Sequence, residues 1–426
     1  MSNKTHHTHV PILLVLLGVV IAIPILHADM PINLLEPYDV LIIPFRPPNR
    51  DAVFGIGYEG AFHIRGFRGD DETGRVDHAS LRGNPLQLWD KEQNAIAAFN
   101  GLTYLSRAGQ LSQELFRDNN NNTHGIFTPC GTLTVPLNLL LSGRFRLPYE
   151  LSLGIYIPYR VAQLTHVRWL QRNPDNSYEE MITPDLIPTL EQLGGMSLRG
   201  WTRHGFGDLM TRIEWFRGFQ QARPWLQMVG LHLRAGLSIP TGLRQNSDIL
   251  IGFPFGHDGG VGFQISGQLE LGYCHGIVLS IDGSLLHMFG NTKERRIRTN
   301  TLQTDLFLIT KAISFKEPGF TQRFTLYAEK VARNHGLSAR VAYQYLKHSD
   351  DQLFICDDRF DHVIANTAEY LQEWTTHSLI FLVKYDACRH TNWDIIPSIH
   401  AFFKLGFNGK RAFVADSLGI TWSISF

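Results

Sequence analysis

The chain has 426 residues, with 39 basic and 39 acidic side chains, so its net charge is zero. A neutral chain lacks the basic excess that phosphate backbones demand, which excludes nucleic acid as a natural partner. Charged residues make up 18%, while Gly (38) and Phe (27) are abundant, a balance that suits strands better than helices.

Lys4 is the only Lys, Arg, Asp or Glu in the first 28 residues, and Val10 to Leu26 is an uncharged apolar run ending in Leu26-His27-Ala28. A positive start, an apolar core and a small residue before Asp29 describe a secretory signal peptide over 1–28, with a retained membrane anchor as the alternative. Residues 29–426 then form a single domain.

"GIGYEG" (Gly55–Gly60) matches G-x-G-x-x-G, but it sits inside the alternating stretch "AVFGIGYEGAFHIRGF". A dinucleotide site needs a helix after the glycines, so a bending strand is the better reading. "DKEQNAIAAFNGL" (90–102) has helical character and opens a segment, about 90–125, that reads as a small internal plug or a turn outside the wall.

Alternation then dominates the chain. "GTLTVPLNLLLSGRFRLP" places Leu133, Val135, Leu137, Leu139, Leu141 and Phe145 on one face, and "LSLGIYIPY" resumes after a short turn with Leu151, Leu153, Ile155, Ile157 and Tyr159. "LHLRAGLSIPTG" sets Leu231, Leu233, Ala235 and Leu237 against His232, Arg234, Gly236 and Ser238. "VGFQISGQLELGYC" and "GLSARVAYQY" repeat the pattern. Such a period of two puts apolar and polar residues on opposite faces of a strand.

The segments number about 12 to 14, within a range of about 12 to 16, and each exceeds an ordinary strand of about 5 to 6 residues. Long strands behind an export signal, with aromatics at their ends (Tyr159, Trp215, Tyr273, Phe289, Tyr345, Tyr385, Trp393, Trp422), predict an all-β, transmembrane antiparallel β-barrel. A secreted sandwich or solenoid is the competing architecture. Polar connections at 117–124, 172–195 and 349–372 suit the extracellular side or the lumen. On this strand count the short turn at Cys274–Gly276 and the loop at 349–372 do not both reach their preferred sides, so one strand is misplaced and the number holds to about two either way.

Parity assigns the polar face to the lumen. It makes Arg144, Arg146, Arg212, Glu214, Arg234, Gln264, Gln268, Glu270, Asp282, Arg323, Glu329, Arg340, Lys384 and Lys404 pore-lining. On the lipid side a midplane Arg or Lys would cost about 2–4 kcal/mol. Within the lumen these groups either brace the wall as ion pairs or line a channel, and their basic majority favours anionic or polar solutes. Catalytic residues, metal ligands and cofactors are not indicated: the 19 His are scattered, and H-E-x-x-H, G-x-S-x-G and C-x-x-C are absent. Cys130, Cys274, Cys356 and Cys388 read as separate thiols, with a Cys356–Cys388 bridge as the alternative.

The chain ends on Leu418, Ile420, Trp422, Ile424 and Phe426, apolar at every second position with a final Phe. This ending resembles the closing strand of bacterial outer-membrane barrels. The resemblance implies an assembly signal read by the barrel-assembly machinery, and an outer-membrane location. "GFGDL" (Gly205–Leu209) and "GLSIPTG" (Gly236–Gly242) are similar to motifs of large outer-membrane channels, the phenol meta-pathway group and the fatty-acid and aromatic-hydrocarbon transporter group among them. The reading is thus a non-enzymatic channel for passive passage of small solutes, with outer-membrane lipid as its other partner. A structural or surface-adhesion barrel with a plugged lumen is the alternative, and a barrel enzyme the second alternative.

Overall fold

The computed structural model describes residues 51–68, 82–99, 125–172, 177–332, 336–387 and 395–426; of His63, Arg82 and 177–185 only the backbone is described. The expected signal peptide, residues 100–124 of the expected plug segment (the polar connection at 117–124 among them), Cys388 and Trp393 lie outside the described residues.

Twelve long strands form the wall: Ala52–Phe67 (β1), Ile126–Arg146 (β2), Leu151–Gln171 (β3), Leu209–Gln220 (β4), Leu226–Ile239 (β5), Gly262–Tyr273 (β6), Ile277–Met288 (β7), Thr321–Ala332 (β8), Leu337–His348 (β9), Trp374–Asp386 (β10), Ile396–Lys410 (β11) and Ala412–Ser425 (β12). Each pairs antiparallel with its neighbours in sequence, and β1 pairs with both β2 and β12. The sheet therefore closes on itself, so no wall edge is left unpaired, as a span through lipid requires. At the seam Val53 meets Ser425, and the Asp51 amide donates to the Phe426 carbonyl at 3.0 Å.

Residues along each strand alternate between exposed and buried, and the sense is inverted relative to a soluble protein. Leu231, Leu233, Leu269, Ile281 and Leu326 are exposed, while His232, Arg234, Gln268, Asp282 and Thr325 are buried. An apolar exterior around a polar interior is stable only in a bilayer, so the chain is a transmembrane barrel. Aromatic rings cluster at both ends of the apolar band. Phe54, Phe145 and Phe426 pack together near the termini, and Phe289 and Phe320 flank His287 at the opposite end.

Both ends of the wall and the short connections, Cys274–Gly276 among them but not the tight β11–β12 turn at Arg411, share one rim. The long connections, including 349–373, all lie at the other. Twelve strands thus put the short turn and the long loop each on its preferred side, the periplasmic and the extracellular respectively. The clash expected from the sequence disappears. Three further strands (Asn291–Arg296, Lys311–Glu317, Gln352–Ile355) pair only with one another, above the extracellular rim.

Two sequence expectations need correction. The stripe Leu133 to Phe145 does not keep to one face: Leu133 and Val135 are buried inside, whereas Leu141 and Phe145 point outward. The register slips between Thr134 and Leu137, around Pro136, and a bulge of this kind reverses the facing of everything beyond it. The polar connection at 172–195 contains a helix, Ser177–Gly194, whose Leu186 and Leu190 are buried one turn apart.

These inward apolar residues belong to a cap. Leu133, Val135, Ala162 and Leu164 from the tops of β2 and β3 pack with Leu86, Trp89, Ile96, Phe99, Leu190, Met196, Phe253, Phe255 and Phe307 from four different loops. The helical character read at 90–102 is the short helix Ala95–Ala98, buried in this cluster on the extracellular side. The 21-residue length of β2 and β3 follows from the same packing, since about 9–11 residues suffice to cross the bilayer and the rest supports the cap.

Candidate functional site: the charged interior of the barrel

Below the cap the interior is crowded with ionisable groups. Glu214 on β4 stands at the centre of one group: Arg144 Nη2 lies 2.9 Å away, Arg212 Nε donates to it at 2.6 Å, and His232 Nε2 is 3.4 Å off. The Arg212 guanidinium also donates to the Tyr156 hydroxyl at 3.1 Å and lies over that ring. Arg234 on β5 pairs with Asp282 on β7. Glu329 and Arg340, directly opposite across β8 and β9, form a bridge at 2.6 Å, and the guanidinium covers the Tyr327 ring at 4.1 Å. Tyr327 in turn accepts from Gln268 at 2.9 Å. Nearer the cap, Glu59 takes Ser417 at 2.7 Å and Asn138 at 3.1 Å, and Asn138 accepts from the Arg160 guanidinium at 3.1 Å.

The strand period explains how charge is gathered here. Residues two apart share a face, so Arg212 and Glu214, or His232 and Arg234, are delivered together. Antiparallel register then sets strands side by side, with Glu214 opposite Arg234 and Asp282 opposite Gln268. Glu214 and Asp282 are closed off from solvent, and Arg144, Arg212, Arg234 and Arg323 are nearly so. Opposite charges at these distances attract strongly where water is scarce, and each lone partner would be costly.

Of the residues expected on the polar face, Arg144, Arg212, Glu214, Arg234, Gln264, Gln268, Glu270, Asp282 and Arg323 are buried. Glu329, Arg340, Lys384 and Lys404 are half-buried, and Arg146 is exposed at the periplasmic end of β2. Four members were not singled out from sequence: Glu59, Tyr156, Arg160 and His232. Glu59 lies inside a glycine motif, and His232 shares the polar face of β5 with Arg234. Both alternate with apolar neighbours, and that signal was present.

The motifs GFGDL and GLSIPTG meet in space. Gly207 and Asp208 interrupt the wall between the short strand Trp201–Phe206, which pairs with the upper part of β3, and β4, which pairs with the lower part. A Cβ at Gly207 would fall 2.5 Å from the Phe255 carbonyl, so only glycine fits. Asp208 accepts the Gly242 amide at 2.9 Å and the His257 amide at 2.5 Å, and Thr241 joins the Leu209 amide to the Gly207 carbonyl. The node pins the loop 243–258 under the cap, where the Phe255 carbonyl accepts Arg160 at 2.6 Å.

Ser238, His257 and Asp208 are within hydrogen-bond reach, but Ser238 and Asp208 both meet the same ring nitrogen, Nδ1, at 2.7 and 2.9 Å. A hydrolytic relay needs the two on opposite nitrogens. Thr321, His348 and Asp351 do use opposite nitrogens, at 2.8 and 2.9 Å. Thr321 is 5% exposed and His348 4%, which withholds that hydroxyl from a substrate. Among the described residues there is no group of three or more His, Cys, Asp or Glu placed to hold a metal, and Cys130, Cys274 and Cys356 are free thiols.

A closed antiparallel barrel with a charged core and a loop-built cap defines a transmembrane β-barrel of the outer-membrane type. Among solved structures the chain is similar to an outer-membrane channel from Pseudomonas putida F1 (9% identity, TM-score 0.48, 89% of this chain and 97% of that one). It is also similar to the Pseudomonas putida toluene transporter TodX (11%, 0.30, 94% and 95%) and the Ralstonia pickettii toluene transporter TbuX (12%, 0.31, 88% and 89%). At such identities the likeness is one of fold alone. No protein-family model and no curated protein sequence matches the chain.

Proposed function

We propose that this protein is an outer-membrane channel for the passive passage of small solutes, closed at rest by its loop cap and by the ion pairs of its core. The carrying observation is the charged interior. Ionisable groups within a membrane span are expensive, and a barrel serving only as a scaffold has no need of Glu214, Arg234 and Asp282 at its core. The fourteen polar-face residues from Arg144 to Lys404 line the path in this reading. Fixed charges of both signs favour polar solutes, with the basic majority tilting selection toward anions.

Residues 1–28 serve as the export signal in this reading, and the alternating series ending on Phe426 directs assembly. Reconstitution into planar bilayers tests the function. Brief, small-conductance openings with weak anion preference are expected. A bilayer that stays sealed at high protein load, with urea and pH steps included, would exclude the channel.

A further inference from the structure

Three extracellular loops meet at a cluster of carboxylates that the channel reading leaves unused. The first loop contributes Asp90, next to Trp89 in the cap core. The fourth contributes Asp305, and the fifth contributes Glu369 and Tyr370. Asp90 accepts the Asp305 amide at 3.0 Å. Asp305 accepts Arg298 at 2.8 Å on one oxygen and the Tyr370 amide at 3.0 Å on the other. Glu369 takes Arg411, from the tight turn between β11 and β12, at 3.3 Å. Around this junction the first loop also docks on the fourth through Asn94 to Thr304, Gln93 to Leu306 and Gln303 to Ala98.

We propose that Asp90 and Asp305 form a proton-operated latch, which holds the first and fourth loops together while the pair retains a proton and releases the cap as the pair ionises. The charges at the junction support it. Three carboxylates face two guanidinium groups, Arg298 and Arg411, and each guanidinium already belongs to one carboxylate. Among the described residues Asp90 makes no ion pair. The charged residues beside it on its own loop are Lys91 and Glu92, and Glu92 is drawn to Arg172 at 3.7 Å. One proton on Asp90 balances the junction; its loss leaves a bare negative charge beside Asp305. A cavity of about 110 Å³, lined by Trp89, Asp305 and Tyr370 among others, gives the cluster a route to water.

Burial, with the Asp305 charge second, pushes the Asp90 carboxyl up to about 7, and burial pushes Asp305 upward too. A carboxyl raised in the closed cap stabilises closure fully below its solvated range, and that contribution disappears as pH rises through the raised value. The cap therefore loosens toward alkaline pH.

Hydrogen exchange of residues 85–99 and 303–309, corrected for the intrinsic pH dependence of exchange, tests the latch in the intact barrel in lipid. This readout follows the cap whether or not the barrel conducts, so it is independent of the channel reading. Opening is expected to increase roughly tenfold between pH 6 and 8. Asp90→Asn keeps the acceptor for the Asp305 amide and should hold the acid-side protection across this range. Asp305→Asn serves as a second variant and should also flatten the profile. A flat wild-type profile, or an Asp90→Asn profile that follows wild type, would overturn the latch.

Discussion

Arg144 reaches Glu214 at 2.9 Å although a whole strand, β3, separates the strands that carry them. Contact across that span means that side chains, not water, fill the core at this level. Glu214 serves Arg144, Arg212 and His232 at once. Glu214→Gln would leave two buried guanidinium groups without their carboxylate. We expect a loss of about 3 kcal/mol in urea unfolding from lipid vesicles. Surviving channels should show a reversal potential shifted toward anions under a salt gradient. Unchanged stability together with unchanged selectivity would mean that the group neither braces nor lines the core.

The outward face gives the complementary test. Ile281, 48% exposed, lies in a register row with Leu269 and Leu326 at mid-strand. Ile281→Arg should cost about 2–4 kcal/mol and sharply lower the yield of heat-modifiable barrel in the membrane fraction. Ile281→Val removes one methylene from a lipid-facing side chain and should be close to neutral by the same assay.

The fold was legible because period-two alternation is local: Leu231 to Ser238 shows both faces of β5 in eight residues. The exact strand number was not, because the short strands at 291–296, 311–317 and 352–355 also consist of extended residues, and only their pairing separates them from the wall. Bulges were invisible for a similar reason. The slip at Pro136 leaves the alternation of Leu133, Val135 and Leu137 intact in sequence while turning the upper part inward. Charged residues could be assigned a face but not a partner, since Arg234 and Asp282 stand 48 positions apart and meet through closure. The cap was hidden most completely. Trp89, Leu190, Phe253 and Phe307 carry no shared pattern, and they converge only because the wall brings four loop bases to one rim.

The closing seam yields a prediction about biogenesis. Phe426 stacks edge-on against Phe54 at 6.1 Å, and its amide donates to the Ala52 carbonyl at 2.9 Å. Phe426→Asp removes the ring and places a charge at the membrane boundary. Assembled barrel should drop several-fold, read as loss of the heat-modifiable band, with unfolded chain accumulating before insertion. Phe426→Tyr, which keeps a ring, should assemble normally. Equal yields for the Asp and Tyr variants would separate the last residue from assembly.

Arg296 ties the cap together. Its guanidinium donates to the Gly194 carbonyl at 2.9 Å, Ser247 at 2.5 Å, and Leu308 and Ile309 at 3.2 Å, and pairs with Asp248 at 2.9 Å. Three loops therefore share one side chain. Arg296→Ala should free them, raising small-solute influx in liposome swelling several-fold and exposing 186–198 and 245–252 to protease. Arg296→Lys keeps the charge but not the planar fork of donors, so it should restore little. Full recovery by Lys would reduce the role of Arg296 to its pairing with Asp248.

Acid should undo a different junction. Asp351 accepts Lys316 at 2.7 Å, His348 at 2.9 Å and the Gly319 amide at 2.8 Å, anchoring the small extracellular sheet to the wall. Despite the opposing effect of burial, Lys316 and then His348 hold its carboxyl far below the usual carboxylate range. A depressed value contributes stability that is present above the solvated value near 3.8 and is lost as pH falls below it. Protease resistance of the fifth loop, 349–373, should thus stay constant from neutral pH to about pH 5 and fall only below about pH 4. Asp351→Asn takes the carboxylate away from the buried Lys316 ammonium and should cost about 3 kcal/mol at neutral pH. If that variant resists protease at pH 7 as well as wild type does, the sheet is held by its backbone pairing and its packing against Leu371 rather than by Asp351.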